Sequence, residues 1–218
     1  MGERTVVHVM RHGEVHNPDG ILYERLPGFR LSANGLAMAR AVAEAFVDVP
    51  LTHLRTSPLQ RAVETIEPFA ATRPGLEVVT DERLTEAGNR FVGQVFGRHH
   101  AALWRPRNWP MMLNPLRPSW GEPFADIARR MTAALADAAL AAGPGGQALV
   151  VSHQSPIWIA RRALEGKRPA HLPGTRTCSL ASITSFHFEG VHCVGTSYSE
   201  PAARLLGADG NAAFSSGD

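Results

Sequence analysis

Apolar residues along this chain form short continuous runs that alternate with stretches of helical periodicity. A short apolar run bounded by turn residues is typical of a buried strand, whereas helical periodicity is typical of an amphipathic helix. We therefore predict strands at Val6–His12, Leu51–Thr56, Leu76–Thr80, Ala148–Ser152, Ser179–Phe188 and Val191–Ser197. The last two strands are joined by Glu189-Gly190, which predicts a β-hairpin.

Four helices are predicted between these strands from their capping residues. They begin at Ser32, Ser57-Pro58, Gly121-Glu122-Pro123 and Ser155-Pro156. Serine is a preferred capping residue, and proline is favoured at the first helical position. The apolar face of the first helix contains Leu36, Ala39, Ala43 and Phe46. The second helix extends to about Ala71, the third stops at Gly143, and the fourth runs through about Leu164.

Alternation of strands and helices predicts an α/β fold, here a three-layer α/β/α sandwich around a mostly parallel sheet. The terminal hairpin adds antiparallel pairing, so the sheet is expected to be mixed. We expect one domain over residues 1–206 and a flexible tail over 207–218. Regularity fails over about 89–121, a segment rich in tryptophan and proline, which predicts an inserted lid. A structural flap that only covers core is the alternative.

Composition narrows the functional classes. The chain has 218 residues, 44% of them hydrophobic and 19% charged, which is enough to bury a core. A net charge of +2 predicts no field for nucleic acid or an anionic membrane. The two cysteines lack metal-type spacing, and the adjacent His99 and His100 lack further ligands, so no metal site is predicted. The sparse cysteines and the absence of a targeting or membrane-length segment predict a cytoplasmic location.

Charged and imidazole side chains follow three of the predicted strands. Arg11 and His12 end the first strand, Arg61 follows the second, and His153 follows Ala148–Ser152. Ligands of open α/β sheets bind outside the carboxyl ends of the strands, so these side chains are expected to meet there. Two guanidiniums and two imidazoles predict an anion pocket, and guanidinium matches the geometry of phosphate oxygens.

Two histidines allow one to act as a nucleophile and the other to stabilise charge. An unprotonated imidazole can attack phosphorus and form a phosphohistidine, while the arginines and the second histidine stabilise the phosphoryl oxygens. An acid is still needed to protonate the leaving alkoxide. Glu86, just after the third strand, is the preferred candidate, and Glu82 and Glu14 are its rivals.

Four segments, in this order, resemble motifs of the histidine phosphatase superfamily, the phosphoglycerate mutase-like proteins. They are Arg11-His12-Gly13-Glu14, Ser57-Pro58-Leu59-Gln60-Arg61-Ala62, Leu84-Thr85-Glu86 and Val150-Val151-Ser152-His153. The resemblance covers roughly residues 4–200 and implies a phosphoglycerate mutase-like fold. It implies His12 as the nucleophile, Glu86 as the proton donor, and a phosphate pocket that contains Arg11, Arg61 and His153. It also implies that no metal or other cofactor is used.

Two further residues are carried over from the resemblance. Asn17 lies near the position of a phosphate-binding asparagine in the family, although its spacing from the histidine is one residue shorter. Gln154 stands where many members have glycine, so its backbone N–H could serve while its side chain narrows the pocket.

The resemblance predicts a metal-independent phosphatase acting on a small-molecule phosphomonoester. The mutases of the family carry a Glu-Arg-Tyr/His-Tyr-Gly segment after the acid motif, and residues 89–93 read Asn-Arg-Phe-Val-Gly here. This departure disfavours the alternative of a mutase-type phosphoryl transfer. A phosphate-binding module without turnover is the other alternative. Neither nucleic acid nor membrane is an expected partner, and a homodimer is left open.

Overall fold

The computed structural model describes residues 3–88, 92–93, 121–170 and 175–207. Most of the predicted lid at 89–121 and almost all of the predicted tail at 207–218 therefore lie outside the described residues. The adjacent histidines at 99 and 100 also lie outside them.

Six strands form one mixed sheet, as the sequence predicts. They are β1 (Thr5–Arg11), β2 (Leu51–Thr56), β3 (Val78–Thr80), β4 (Gln147–Ser152), β5 (Ile183–Glu189) and β6 (His192–Ser199). Their order across the sheet is β3-β2-β4-β1-β5-β6. The four strands from β3 to β1 are parallel, whereas β5 and β6 form the predicted antiparallel hairpin. The carboxyl ends of β2, β4 and β1 therefore lie side by side.

Helices cover both faces of this sheet. They are α1 (Ala33–Ala45), α2 (Gln60–Ala71), α3 (Phe124–Ala142) and α4 (Gln154–Leu164). Side chains of α1 and α2 pack with Met10 and Leu149 in one apolar cluster, and those of α3 and α4 pack with Val9 and Val150 in another. Successive residues of one strand thus serve opposite faces, because side chains alternate along a strand. The result is the predicted three-layer α/β/α sandwich.

Three details of the helix predictions are wrong. Leu36 is 36% exposed because α1 buries Met38 and Val42, with Ala39 and Ala43, on a stripe rotated away from it. Ser57 does not cap α2, which begins at Gln60 after Leu59 in an extended conformation. Helix α4 begins earlier than predicted, with His153 at the capping position, so Ser155 and Pro156 lie inside its first turn. Proline is tolerated there because the first N–H groups of a helix have no partner within it.

Within the described ranges, no helix combines the length and apolar character needed to span a bilayer.

Candidate active site

The strand order brings the predicted side chains to one edge of the sheet. Arg11 is the last residue of β1 and pairs with Ser152, the last residue of β4. The backbone N–H of His12 then donates to the carbonyl of Ser152 at 3.1 Å, which holds His12 beside His153. Helices α2 and α4 begin at this edge, so the positive ends of their dipoles also face it.

His12 is 2% exposed, and both of its ring nitrogens have a partner. Nδ1 lies 2.8 Å from the carbonyl oxygen of Gly13, an acceptor that requires Nδ1 to carry the proton. Nε2 then accepts from Nε of Arg61 at 3.3 Å. Burial lowers the pKa of His12 well below 6.5, and the nearby charges of Arg61 and Arg11 lower it further. The ring is therefore neutral at neutral pH, and the lone pair of its Nε2 faces Arg61.

Arg61 is held by the loop that follows β1. Its Nη2 donates to the carbonyl of Glu24 at 2.5 Å, and its guanidinium lies 4.8 Å from the centroid of the Tyr23 ring. Tyr23 in turn stacks on Phe29, with ring centroids 4.9 Å apart. Nη1 of Arg61 is buried and has no hydrogen-bond partner among the described residues. A buried charged donor of this kind is costly unless a ligand meets it.

His153 is fully buried, and its ring centroid lies 5.0 Å from that of His12. Nε2 of His153 lies 2.9 Å from Oγ of Ser57, whereas Nδ1 has no partner in the described part of the chain. Burial lowers the pKa of His153 well below 6.5, and the charge of Arg61 adds to this shift. The second imidazole is therefore also neutral at neutral pH.

Arg11 and Gln154 converge on one backbone carbonyl. Nη1 of Arg11 donates to the oxygen of Cys178 at 2.7 Å, and Nε2 of Gln154 approaches the same oxygen at 3.4 Å. Both side chains are buried. The Gln154 side chain thus lies beside Arg11. The family resemblance predicts that this side chain narrows the phosphate pocket.

Glu86 and its two rivals lie in different environments. The Glu86 carboxylate is half-buried, accepts from the N–H of Ala87 at 2.8 Å, and is close enough to Arg61 to oppose the lowering of its pKa by burial. Glu14 accepts from Ser32 and from Asn34, at the start of α1. Glu82 is exposed in the short 3₁₀ turn at Glu82–Leu84. The geometry therefore favours Glu86 over both rivals as the carboxylate that faces the site.

Asn17 is buried, and its side chain shapes the loop after β1. Its Oδ1 accepts from the N–H of Ile21 at 3.1 Å, and its Nδ2 donates to the carbonyl of the same residue at 2.9 Å. These contacts place Asn17 in the loop that leads to Tyr23 and Glu24.

Sequence reasoning missed three residues at this site. Tyr23 and Glu24 contact Arg61 as described, and Glu24 adopts a positive φ of 31°, which is rare for a residue other than glycine. Burial lowers the pKa of Arg176. The charge of Glu86 opposes this shift and the charge of Arg11 adds to it, so the Arg176 guanidinium lies near Glu86 and Arg11. The local sequence around these three residues does not indicate their contacts, because their partners are distant in the chain.

The imidazoles of His12 and His153, the guanidiniums of Arg11 and Arg61 and the nearby carboxylate of Glu86 together form a largely buried cup at the carboxyl edge of the sheet. His12 offers a lone pair, Nη1 of Arg61 and Nδ1 of His153 are without protein partners among the described residues, and Glu86 lies nearby. Such donors can bind the oxygens of a tetrahedral anion while the imidazole attacks its central atom. Within the described ranges, no group of three or more His, Cys, Asp or Glu side chains is arranged to hold a metal ion.

Comparison with known proteins places the chain in a family. The profile of the histidine phosphatase superfamily (branch 1) matches residues 7–200. An uncharacterized protein of Mycobacterium tuberculosis H37Rv is 52% identical over 203 residues, covering 93% of this chain and 100% of that protein. A probable phosphoglycerate mutase, GpmB, of Yersinia enterocolitica is 32% identical over 189 residues, covering 81% of this chain and 83% of that protein.

A solved structure agrees at the level of the fold. Phosphoserine phosphatase from Entamoeba histolytica, in complex with 3-phosphoglyceric acid, aligns with a TM-score of 0.74 at 23% identity, covering 93% of this chain and 100% of that chain. Sequence motifs, sheet topology and the matched profile therefore agree, and the chain belongs to the histidine phosphatase superfamily, whose enzymatic members include phosphatases and mutases.

Proposed function

We propose that this protein is a metal-independent phosphatase that hydrolyses a small-molecule phosphomonoester through a phosphohistidine on His12. The observation that carries the proposal is the state of His12. Its Nδ1 is held by the Gly13 carbonyl, its pKa is lowered by burial and by two arginines, and its Nε2 therefore keeps an unprotonated lone pair, which meets Nε of Arg61.

In the first step Nε2 of His12 attacks phosphorus, and the bond between phosphorus and the ester oxygen breaks. Glu86, in its protonated form, donates its proton to the leaving alkoxide. The cationic and neutral donors of Arg11, Arg61 and His153 stabilise charge on the three remaining oxygens. These steps leave a phosphohistidine and a free alcohol.

In the second step water attacks the phosphorus of the phosphohistidine. The Glu86 carboxylate, which lost its proton in the first step, accepts a proton from that water, and the bond between Nε2 and phosphorus breaks. Inorganic phosphate leaves, and both His12 and Glu86 return to their starting states. The cycle requires no metal ion or redox partner.

The test is hydrolysis of a chromogenic aryl phosphate by the purified protein, followed by a panel of metabolite phosphoesters. We expect activity that survives a chelator and falls by at least about a thousandfold in His12→Ala, as for loss of a covalent nucleophile. His8→Asn is the matched control, because His8 lies on the same strand but bonds Ser185 and Gln147 instead. Full activity in His12→Ala would contradict the proposal, and so would complete loss of activity with chelator.

A mutase is the second candidate, and the 32% identity to the probable phosphoglycerate mutase of Yersinia enterocolitica is the observation that favours it. The two functions differ in the fate of the phosphohistidine. A mutase returns the phosphoryl group to a second hydroxyl and needs a bisphosphorylated primer, whereas a phosphatase passes it to water. Isomerisation of a phosphoglycerate faster than release of inorganic phosphate would favour the mutase.

A further inference from the structure

The side chain of Ser57 makes a contact that the sequence does not predict. Instead of capping α2, its hydroxyl lies 2.9 Å from Nε2 of His153. Ser57 and His153 are both fully buried. The contact joins residues that are 96 positions apart in the chain, so it exists only because β2 and β4 are neighbours in the sheet.

The direction of this hydrogen bond decides what His153 offers to a ligand. A neutral imidazole carries one proton, so if Nε2 accepts, Nδ1 must be the donor. The Leu59 N–H, at 3.4 Å, is a donor to the Ser57 oxygen, so among the described residues Nε2 of His153 is the one acceptor that the hydroxyl proton contacts. Nδ1 then carries a proton that is buried and has no partner among the described residues, on a ring whose centroid lies 5.0 Å from that of His12.

The opposite tautomer would fit the site poorly. If Nε2 donated to Ser57, the lone pair of Nδ1 would face the oxygens of a bound phosphoryl group. Two lone pairs repel, and the nearby Arg61 and Arg11 would gain no help from His153 in stabilising those oxygens. In the Nδ1–H tautomer, by contrast, His153 has a buried donor without a protein partner, and a bound anion can accept a hydrogen bond from it.

We propose that Ser57 is a positioning residue that holds His153 as its Nδ1–H tautomer, so that this N–H donates to the transferring phosphoryl group. The donation rests on the proposed function, whereas the tautomer does not. Among the described residues, the Ser57 side chain contacts the ring of His153 and the N–H of Leu59, so it acts through the ring of His153.

The tautomer is measured directly by ring nitrogen and carbon chemical shifts of His153 in the full-length protein, assigned by the loss of its signals in His153→Gln. We expect the Nδ1–H form in the parent, a mixture or the other form in Ser57→Ala, and restoration in Ser57→Thr, which keeps a hydroxyl. Ser185→Ala is the matched control, because Ser185 Oγ bonds Nδ1 of His8 at 2.8 Å, away from this edge of the sheet.

Kinetics test the donation. Loss of one hydrogen bond to a charged group predicts a fall in kcat of roughly tenfold to a hundredfold in Ser57→Ala. The kcat of Ser57→Thr and of Ser185→Ala is expected to stay within about threefold of the parent value, since in both variants a hydroxyl at position 57 still donates to His153.

The outcomes separate this inference from the proposed function. An Nε2–H tautomer in the parent overturns it, as does an unchanged tautomer or an unchanged kcat in Ser57→Ala. If the parent hydrolyses no phosphoester, the proposed function fails, and the chemical shifts still decide whether Ser57 selects the tautomer.

Discussion

At the scale of single residues, the two neutral imidazoles are the unusual feature of this protein. Histidines on a surface titrate near 6.5, but His12 and His153 are buried beside Arg11 and Arg61. Protonating either ring would place another positive charge in a cup that already contains guanidiniums. Burial and charge therefore act in the same direction, and both keep the two rings neutral.

These pKa shifts predict a dependence of stability on pH. In the unfolded chain both histidines take up protons near 6.5, whereas in the folded protein they do so only at much lower pH. Between those values the unfolded state binds more protons, so the free energy of unfolding falls as the pH is lowered from about 6.5. Each histidine contributes a slope of at most about 1.4 kcal/mol per pH unit.

Urea denaturation between pH 7.5 and 5.5 measures this slope, over a range that lies above the ordinary pKa of carboxylates. The variant His12→Asn/His153→Asn should show a shallower slope than the parent. It should not be flat, because burial also lowers the pKa of His8 and His53. An identical slope in the parent and the variant would contradict the pKa shifts of the two site histidines.

At the scale of elements, the end of β1 and the start of α1 approach each other backbone to backbone. The N–H of Ser32 donates to the carbonyl of Glu14 at 2.9 Å. A Cβ atom on Gly35 would lie 2.0 Å from that carbonyl oxygen, and one on Gly13 would lie 2.6 Å from the carbonyl oxygen of Gly35. Glycine at both positions therefore lets α1 support the Gly13 carbonyl that orients His12.

This close approach reverses the usual effect of replacing glycine in a helix. Helix propensity alone predicts that Gly35→Ala stabilises the protein by about 0.5–1 kcal/mol. The clash with Glu14 predicts the opposite, a loss of about 1–3 kcal/mol, together with lower activity because the Gly13 carbonyl shifts. Denaturation midpoints and kcat measure both effects.

Gly75→Ala is the control for this substitution. A Cβ atom at Gly75 would meet nothing within 4 Å, and its φ is not in the left-handed region, so we expect little change or a small gain in stability. If Gly35→Ala were as stable and as active as Gly75→Ala, the backbone contact between α1 and the β1 loop would have no role in holding His12.

At the scale of the whole molecule, the sheet brings distant segments together in a site where two buried nitrogens have no acceptor among the described residues. Nη1 of Arg61 and Nδ1 of His153 are buried without protein partners among the described residues. A tetrahedral oxyanion would supply acceptors to both and reduce repulsion between Arg61 and Arg11. Such a ligand binds only the folded state, so it must raise stability.

Inorganic phosphate and vanadate are therefore expected to raise the melting temperature. At a hundred times the dissociation constant the gain is about 2.7 kcal/mol. Arg61→Met should reduce or abolish this gain, and sodium chloride at equal ionic strength is the control for screening. An equal gain in Arg61→Met and in the parent would place the anion at another site.

The sequence by itself determined the features that depend on neighbours in the chain. Apolar runs and helical periodicity identified the strands and the helices, and their order implied a parallel sheet whose carboxyl edge carries Arg11, His12, Arg61 and His153. This was possible because strand periodicity and the position of ligands at that edge follow from local geometry and general topology.

Only the tertiary structure decided what each polar group at that edge contacts. Capping preference suggested a helix start at Ser57, yet the structure gives its hydroxyl to the ring of His153. Likewise, the loop carbonyl of Glu24 and the ring of Tyr23 hold Arg61, and no pattern along the chain indicates either contact. The physical reason is that a capping bond contributes only about 1 kcal/mol, whereas a buried polar group left without a partner costs more, so distant residues brought together by folding decide the outcome.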